Sequence, residues 1–253
     1  MPDVDLYYEV HGTGPPLVLL HGAMGTIESC FADLLPRLAT DHQVIAVELQ
    51  GHGHTPDNER PLTFEAMADD IAVLLGTLGI DRADHVGYSM GGGVALQVAI
   101  RHPHHVRKVV FFGGTAFSPD GVYPEANAGF DAGPPLEELE GSVWHEAYLR
   151  VAPDPKAWPA LVTKVNELDR TWAGIAPEQL AGITAPTLLI IGDADIVQPE
   201  HTVEMFRLLG GGVPGDLVPM PSAQLAILPG TNHVGMLEQT DWLHSMISRF
   251  LVG

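Results

Sequence analysis

A serine between glycines is the first feature of this sequence that could perform chemistry. The pattern Gly-Tyr-Ser-Met-Gly occupies residues 87–91 and has Ser89 at its centre. Strand-like residues precede it, and a helical pattern that starts at Met90 follows it. A strand–turn–helix of this kind holds a serine in a strained backbone conformation, with its hydroxyl at the positive end of the helix. We therefore predict that Ser89 is a nucleophile.

A base and an acid for this serine follow later in the chain. A serine hydroxyl is a weak nucleophile until a base, itself oriented by a carboxylate, takes its proton. Asp195 comes after the apolar run 187–191, and His233 comes after the apolar run 225–228. This is the order serine, acid, histidine that a nucleophile on such a turn requires. Asp193 is a rival acid, which we rank second because it lies nearer the strand and can serve the turn instead.

Position along the chain selects His233 from 13 histidines. It follows the last predicted strand, whereas His201 and His244 lie in helical patterns and are expected to be solvated. His21 follows the apolar run 17–20 and is expected to brace its loop. His233 is therefore the predicted catalytic base.

Acyl transfer also needs backbone N–H groups that bind the tetrahedral oxyanion. One is predicted at Met90, directly after the nucleophile, and the second in the loop that follows an earlier strand. Ala23 lies in that loop, after the apolar run 17–20. We predict that Ala23 and Met90 supply the two donors.

Short apolar runs and periodic apolar patterns predict the elements that position these residues. The predicted strands cover residues 4–10, 17–20, 44–49, 85–87, 109–112, 187–191 and 225–228. The predicted helices cover about 29–39, 63–78 with Thr63 as N-cap, 90–101 and 237–251. Continuous Val, Ile and Leu runs are typical of parallel strands that are covered on both faces. The alternation predicts an α/β fold with an open, mostly parallel, doubly wound sheet flanked by helices.

Residues 118–183 interrupt this alternation, because they contain no convincing strand and two helical patterns, near 136–150 and 157–168. We predict that this segment is a small helical cap, or lid, inserted in a core formed by residues 1–117 and 184–253. A cap of this kind lies over the carboxyl ends of the strands, where ligands bind. The candidate pocket residues are Phe117, Trp144, Tyr148, Trp158 and Trp172. The alternative is that at least two of the tryptophans only pack the cap onto the core.

Composition argues against several classes of function. The formal charge of −20 disfavours nucleic acid and anionic membranes as partners. The single cysteine, Cys30, excludes an intrachain disulfide and a multi-cysteine metal site. The histidines at 102–105 and 52–54 lack the arrangement of a catalytic zinc site, and no dinucleotide-binding glycine pattern follows a strand. We expect no metal and no cofactor, and the acidic N-terminus leads us to expect a cytoplasmic protein.

Together these motifs resemble the α/β-hydrolase superfamily along nearly the whole chain. The matching pieces are residues 21–22, 51–53, 87–92, 192–195 and 230–233. The chain looks most like compact bacterial serine esterases and lactonases with a small helical cap. The resemblance implies a triad of Ser89, Asp195 and His233. Members commonly carry Asp and Arg before the Gly-His-Gly loop, where this chain has Glu48 and Gln50; that loop is structural in the family, so the triad is unaffected.

The predicted function is hydrolysis of a small-molecule carboxylic ester or lactone through an acyl-enzyme. The nearest alternative is the same triad acting on another bond, such as a carbon–carbon, thioester or peracid bond. A further alternative is a sensor of small molecules that turns over slowly and signals to a partner protein. Steady multiple turnover of short esters distinguishes the enzyme from the sensor.

Overall fold

The computed structural model describes residues 5–133 and 136–253 and contains one seven-stranded sheet. The strands are β1 (Tyr8–His11), β2 (Pro16–Leu20), β3 (Gln43–Val47), β4 (Ala83–Tyr88), β5 (Val106–Phe112), β6 (Thr187–Ala194) and β7 (Ala223–Asn232). They are arranged in the order β1-β3-β2-β4-β5-β6-β7. All neighbouring pairs are parallel except β1 with β3. The carboxyl ends of six strands therefore meet at one edge of the sheet.

Both faces of the sheet are buried, which explains the continuous apolar runs. In β2, Val18 and Leu20 belong to one apolar core, whereas Leu17 and Leu19 belong to another on the opposite face. Successive side chains of a strand point to opposite faces, so a strand covered on both sides must be apolar at every position. The predicted α/β fold with a mostly parallel sheet is confirmed.

Eleven helices are described, on the two faces of the sheet and in the segment between β5 and β6. They are α1 (Ile27–Phe31), α2 (Leu34–Leu38), α3 (Phe64–Thr77), α4 (Met90–Arg101), α5 (Pro124–Ala132), α6 (Leu136–Leu139), α7 (Val143–Val151), α8 (Trp158–Thr171), α9 (Pro177–Ala181), α10 (Pro199–Leu208) and α11 (Thr240–Val252). Helices α1, α2 and α11 contribute to one core, and α3, α4 and α8 contribute to the other. No helix among the described residues is both long and apolar enough to cross a membrane.

One of two predicted helices is found as expected, and the other is divided into two. The helix after Thr63 is confirmed as α3, and the Thr63 hydroxyl accepts a hydrogen bond from the Ala66 N–H at 3.1 Å. The single helix predicted over 29–39 is wrong, because α1 ends at Phe31 and α2 begins at Leu34. Pro36 explains the break, since a proline inside a helix lacks the N–H donor and collides with the carbonyl four residues earlier.

The segment between β5 and β6 contains helices α5 to α9 and no β-strand among its described residues. Helices α6 and α7 replace the one helical pattern predicted near 136–150, because Gly141 has a φ of 74° and ends the first of them. The predicted strand over 4–10 is shorter than expected, since β1 begins at Tyr8; Val4 lies outside the described residues. The division of the chain into a core and a cap at 118–183 stays a prediction.

Candidate active site

The sharp turn that carries Ser89 joins the end of β4 to the start of α4. The backbone of Ser89 has φ 52° and ψ −117°, which is a strained conformation for a residue with a side chain. Gly91 allows the turn to lie against β2, because a Cβ atom there would be 2.2 Å from the Leu20 carbonyl oxygen. The Ser89 N–H donates to the Phe112 carbonyl at 3.0 Å, and the Thr115 hydroxyl donates to the Ser89 carbonyl at 3.0 Å. The serine is therefore fixed at the carboxyl edge of the sheet.

His233 lies directly after β7 and contacts Ser89. Its Nε2 atom is 2.9 Å from the Ser89 Oγ atom, and its Nδ1 atom is 2.9 Å from Oδ1 of Asp195. The Tyr88 hydroxyl donates to the His233 carbonyl at 3.1 Å, which ties the backbone of the histidine to the end of β4. This geometry suits an imidazole that donates from Nδ1 to the carboxylate and accepts the serine proton at Nε2.

Asp195, and not Asp193, is the carboxylate that contacts His233. The side chain of Asp195 is buried, and Gly114 makes room for it, because a Cβ atom on Gly114 would lie 2.1 Å from Asp195 Oδ1. Asp193 is exposed, and its Oδ1 atom accepts the Thr231 N–H at 3.2 Å. Asp193 therefore links the carboxyl end of β6 to that of the neighbouring strand β7.

The two residues predicted to supply oxyanion donors, Ala23 and Met90, are found at the cavity in front of Ser89. Ala23 and Met90 line the same cavity as Ser89 and His233. Met90 is the first residue of α4, so its N–H has no acceptor within the helix. Ala23 precedes Met24, whose φ of 59° turns the loop that follows β2. The role of these two N–H groups as oxyanion donors stays a prediction.

His21 supports the loop that carries Ala23. The buried His21 ring donates from Nδ1 to the Gly22 carbonyl at 2.8 Å, and its Nε2 atom accepts the Leu49 N–H at 3.0 Å. Burial lowers the pKa of His21 to about 3, so the ring is neutral at pH 7 and can accept at Nε2. These contacts agree with a bracing role for His21.

The two residues that depart from the family pattern have structural contacts. Glu48 is buried and accepts backbone N–H groups from Ile27 at 3.1 Å and from His54 at 2.6 Å. Gln50 is also buried, and its amide donates to the Asn58 side chain at 2.8 Å. Neither residue is part of the cavity wall. The departure therefore concerns loop structure and not the catalytic groups.

A cavity of about 260 Å³ lies in front of Ser89 and His233. Its wall is mostly apolar, and the segment between β5 and β6 supplies much of it. That contribution includes Asn127, Phe130, Trp144, Asp169, Trp172 and Ile175. The segment thus encloses the space in front of Ser89.

Of the five aromatic residues expected in the pocket, only Trp144 and Trp172 line this cavity. Tyr148 and Trp158 are wrong predictions: both are buried and pack against each other, with ring centroids 5.3 Å apart. Position in the sequence could not separate the two groups, because neighbouring helices decide which face of each helix meets the cavity. The alternative that two tryptophans only pack the cap holds for Trp158 alone.

Phe117 is also a wrong prediction for the pocket. Its ring stacks on the imidazole of His201 with centroids 4.1 Å apart, and its N–H donates to His201 Nε2 at 3.1 Å. His201 is buried, contrary to the expectation of a solvated residue, and burial lowers its pKa. His244 is half-buried and likewise not a solvated side chain.

Asp169 is a cavity residue that the sequence analysis missed. It lies near the end of α8 and lines the cavity together with Trp172, the residue that directly follows this helix. Burial raises the pKa of Asp169 to about 6, and no hydrogen bond or charge of a described residue opposes that shift. The only available signal was the spacing of Asp169 and Trp172, since residues three apart share one side of a helix.

No metal cluster is formed by the parts of the chain that the structure describes: no group of three or more His, Cys, Asp or Glu side chains there could hold an ion. Cys30 is buried, and burial raises the pKa of its thiol to about 12, so it is not a reactive thiolate. The absence of a cofactor stays a prediction.

Comparison with known proteins identifies relatives that share the fold of this chain. The family model described as alpha/beta hydrolase fold matches residues 15–140. A putative carbamate hydrolase from Azorhizobium caulinodans is 29% identical over 234 residues, which are 84% of each chain. A pimeloyl-[acyl-carrier protein] methyl ester esterase from Neisseria meningitidis is 28% identical over 93% of this chain and 76% of that protein.

Among solved structures, a meta-cleavage product hydrolase from Pseudomonas fluorescens superposes with a TM-score of 0.78. It is 22% identical, and the match covers 97% of this chain and 93% of that one. At that identity the likeness concerns the fold. The three proteins carry names for different reactions, so the comparisons identify a hydrolase architecture without identifying a substrate.

Proposed function

We propose that this chain, which belongs to the α/β-hydrolase family, hydrolyses carboxylic esters or lactones through a covalent acyl-enzyme. The observation that carries the proposal is the pair of 2.9 Å contacts that His233 makes with Ser89 and Asp195. Together with the cavity in front of Ser89, these contacts provide a nucleophile, a base and an orienting acid in mutual reach.

In the first half of the reaction, Ser89 Oγ attacks the carbonyl carbon while its proton passes to His233 Nε2. The negative charge that forms on the carbonyl oxygen is stabilised by the N–H groups of Met90 and Ala23. Asp195 stabilises the imidazolium that results. The intermediate collapses when the carbon–oxygen ester bond breaks, and His233 gives the proton to the leaving alcohol. The acyl group is then bonded to Ser89 Oγ.

In the second half, a water molecule replaces the alcohol. His233 Nε2 takes one proton of the water as its oxygen attacks the acyl carbon, and the same two backbone donors stabilise the new oxyanion. The bond to Ser89 Oγ breaks, and His233 returns the proton to the serine. A lactone follows the same steps, except that its alcohol stays joined to the acyl group and leaves with it.

Two features favour an ester or a lactone among the bonds that this mechanism can cleave. The cavity wall is largely apolar, which suits an uncharged ester group and its neighbouring hydrocarbon. One of the relatives above is named a methyl ester esterase. The carbamate hydrolase among the relatives makes a carbamate the most informative competing substrate.

A substrate panel with a Ser89→Ala control tests the proposal. We expect wild-type protein to turn over p-nitrophenyl acetate, butyrate or octanoate, or a simple lactone, faster than a phenyl carbamate of similar size. Ser89→Ala should lower kcat by a factor of roughly 10⁴ or more, because no other side chain can form the acyl bond. An unchanged melting temperature shows that the variant is folded.

Covalent labelling gives an independent test of the acyl-enzyme. A fluorophosphonate should add one phosphonyl mass to wild-type protein and none to Ser89→Ala, as measured by intact-protein mass spectrometry. Full ester turnover by a folded Ser89→Ala variant would contradict the proposal. A preference for the carbamate would keep the nucleophile and reject the ester assignment.

A further inference from the structure

One acidic side chain lines the cavity of Ser89 without taking part in the triad. Asp169, near the end of α8, is the only acidic residue in the described wall of that cavity. Asp195, by contrast, is buried behind His233 and contacts its Nδ1 atom. The proposed mechanism assigns no step to Asp169, so its presence in the wall of this cavity needs another explanation.

The carboxyl group of Asp169 has no partner among the described residues. Burial alone shifts its pKa upward, with no opposing hydrogen bond or positive charge. Its basic neighbours on α8 do not neutralise it. Lys164 binds Asp57 at 2.7 Å and the Arg60 carbonyl at 2.9 Å, and Arg170 is exposed. An ionised carboxylate is disfavoured in a half-buried site unless a charge or donor pairs with it.

The rest of the wall has the properties of a binding site for a cation. Five aromatic side chains line the cavity, namely Phe64, Tyr88, Phe130, Trp144 and Trp172. The faces of such rings attract a positive charge, and aromatic walls are used to bind quaternary ammonium groups. No lysine or arginine belongs to the described wall, so no positive side chain competes for Asp169 or repels a cation.

We propose that Asp169 is a specificity residue that selects esters or lactones bearing an ammonium group in their acyl or alcohol part. The carboxylate pairs with the ammonium, and the aromatic rings surround its alkyl substituents, while the ester carbonyl lies at Ser89. This inference rests on the proposed function, because it concerns the substrate of the same cavity. It adds a chemical class that the triad alone does not define.

A pair of substrates with the same shape and different charge tests the inference. One is the p-nitrophenyl ester of 5-(trimethylammonio)pentanoic acid, and the other is the p-nitrophenyl ester of 6,6-dimethylheptanoic acid. The trimethylammonium group cannot attack its own ester, so background aminolysis is avoided. We expect wild-type protein to favour the cationic ester in kcat/KM by on the order of tenfold or more.

Asp169→Asn should remove this preference while keeping the volume of the side chain. We expect the ratio of kcat/KM for the cationic ester to kcat/KM for the neutral ester to fall by on the order of tenfold. Glu167→Gln is the matched control, because Glu167 is an exposed acid on the same helix. It removes the same charge and should leave the ratio of the two substrates unchanged.

The outcomes separate the two proposals. If neither ester is hydrolysed in a Ser89-dependent way, the proposed function fails. If both are hydrolysed through Ser89 at similar efficiency by wild-type protein, the cation site is rejected and the esterase stands. Calorimetric titration with butyltrimethylammonium needs no turnover: saturable binding that Asp169→Asn abolishes supports the inference, and no binding to wild-type protein overturns it.

Discussion

At Asp195 the two oxygens of one carboxylate have different surroundings. Oδ1 faces Nδ1 of His233 at 2.9 Å and also accepts the Val197 N–H at 3.3 Å, whereas Oδ2 is buried with no partner among the described residues. The interaction of the acid with its histidine therefore depends on one atom. If Oδ1 moves or loses its charge, no second contact between Asp195 and His233 can replace the lost hydrogen bond.

Replacing the charge at this atom should be severe. We expect Asp195→Asn to lower kcat for a p-nitrophenyl ester by a factor of roughly 10³–10⁴, because an amide neither orients the neutral imidazole correctly nor stabilises the imidazolium. The measurement is steady-state kinetics at saturating ester. The loss should appear in kcat more than in KM, since Asp195 is not part of the described cavity wall.

Asp193→Asn is the control for this experiment, because it makes the same chemical change two residues away. Asp193 is exposed and accepts only a backbone N–H among the described contacts, and an asparagine oxygen can accept that bond as well. Activity within about twofold of wild type is expected, as for most surface substitutions away from a site. If Asp193→Asn were the more damaging of the two changes, the assignment of the acid would be reversed.

Burial of the Asp169 carboxyl group should make the stability of the folded protein depend on pH. Its pKa is raised from 3.8 to about 6 by burial, so the folded protein binds this proton more tightly than the unfolded chain does. The folded state is therefore penalised as the pH rises from about 4 to 6, and the full penalty remains above pH 6. Asp169→Asn, which has no charge to bury, should be more stable than wild type at pH 8.

The expected gain is on the order of 1–3 kcal/mol at pH 8 and only a small part of that near pH 4, where Asp169 is largely protonated in the folded state. Urea denaturation at the two pH values measures it. Equal stability of the two proteins at pH 8 would show that the carboxylate is not penalised by burial. A gain in stability with a loss of selectivity is the pattern of a functional residue.

At the scale of elements, the sharp turn that carries Ser89, called the elbow here, depends on how closely α4 approaches β2. Gly91→Ala would direct a methyl group at the backbone oxygen of Leu20, 2.2 Å away, and backbone cannot move aside as a flexible side chain does. We expect a loss of several kcal/mol, of the order found for overpacked cores, together with loss of activity. Thermal or urea unfolding measures the first effect, and ester hydrolysis the second.

Gly76→Ala is a matched control within another helix. Gly76 lies in α3, and a Cβ atom there would have no atom within 4 Å. The same substitution should therefore stabilise the protein by about 0.5–1 kcal/mol through helix propensity, with activity unchanged. Similar effects of the two substitutions would mean that close packing at the elbow is not the reason for its glycine.

Sequence patterns predict some helices of this chain better than others. Regular elements with one dominant signal were predictable, such as α3 with its capping Thr63, or α4 directly after Ser89. The split of α1 from α2 depended on one proline inside an otherwise helical pattern, Pro36. The missing backbone N–H of Pro36 could have predicted the break. The helical spacing of the leucines around Pro36 suggested one continuous helix instead.

The catalytic groups and the cavity wall differ in predictability for a physical reason. Ser89 and His233 each follow a strand directly, so the parallel sheet brings them to one edge whatever the helices do. The wall residues lie on helices whose rotation is set by packing against other helices. Tyr148 and Trp158 were therefore misassigned, and Asp169 was missed, although all three occur in the expected segment.

At the scale of the whole molecule, the sheet was the most predictable feature. Burial of both faces demands apolar residues at successive positions, and each of the seven strands overlaps a run that was predicted as one. The formal charge of −20 acts at this scale too, since it attracts cations toward the molecule as a whole. Charge and Asp169 thus favour the same sign of ligand, one at long range and one by contact.

Strands β5 and β6 are direct neighbours, paired from Val109 with Thr187 onward, and the helices between them leave and re-enter the sheet at adjacent positions. The stretch that contributes Asp169 can therefore be exchanged in evolution as a single cassette, with no change to the pairing of any strand. Related proteins can then share the residues at the carboxyl edge of the sheet and differ in the substrates that they accept.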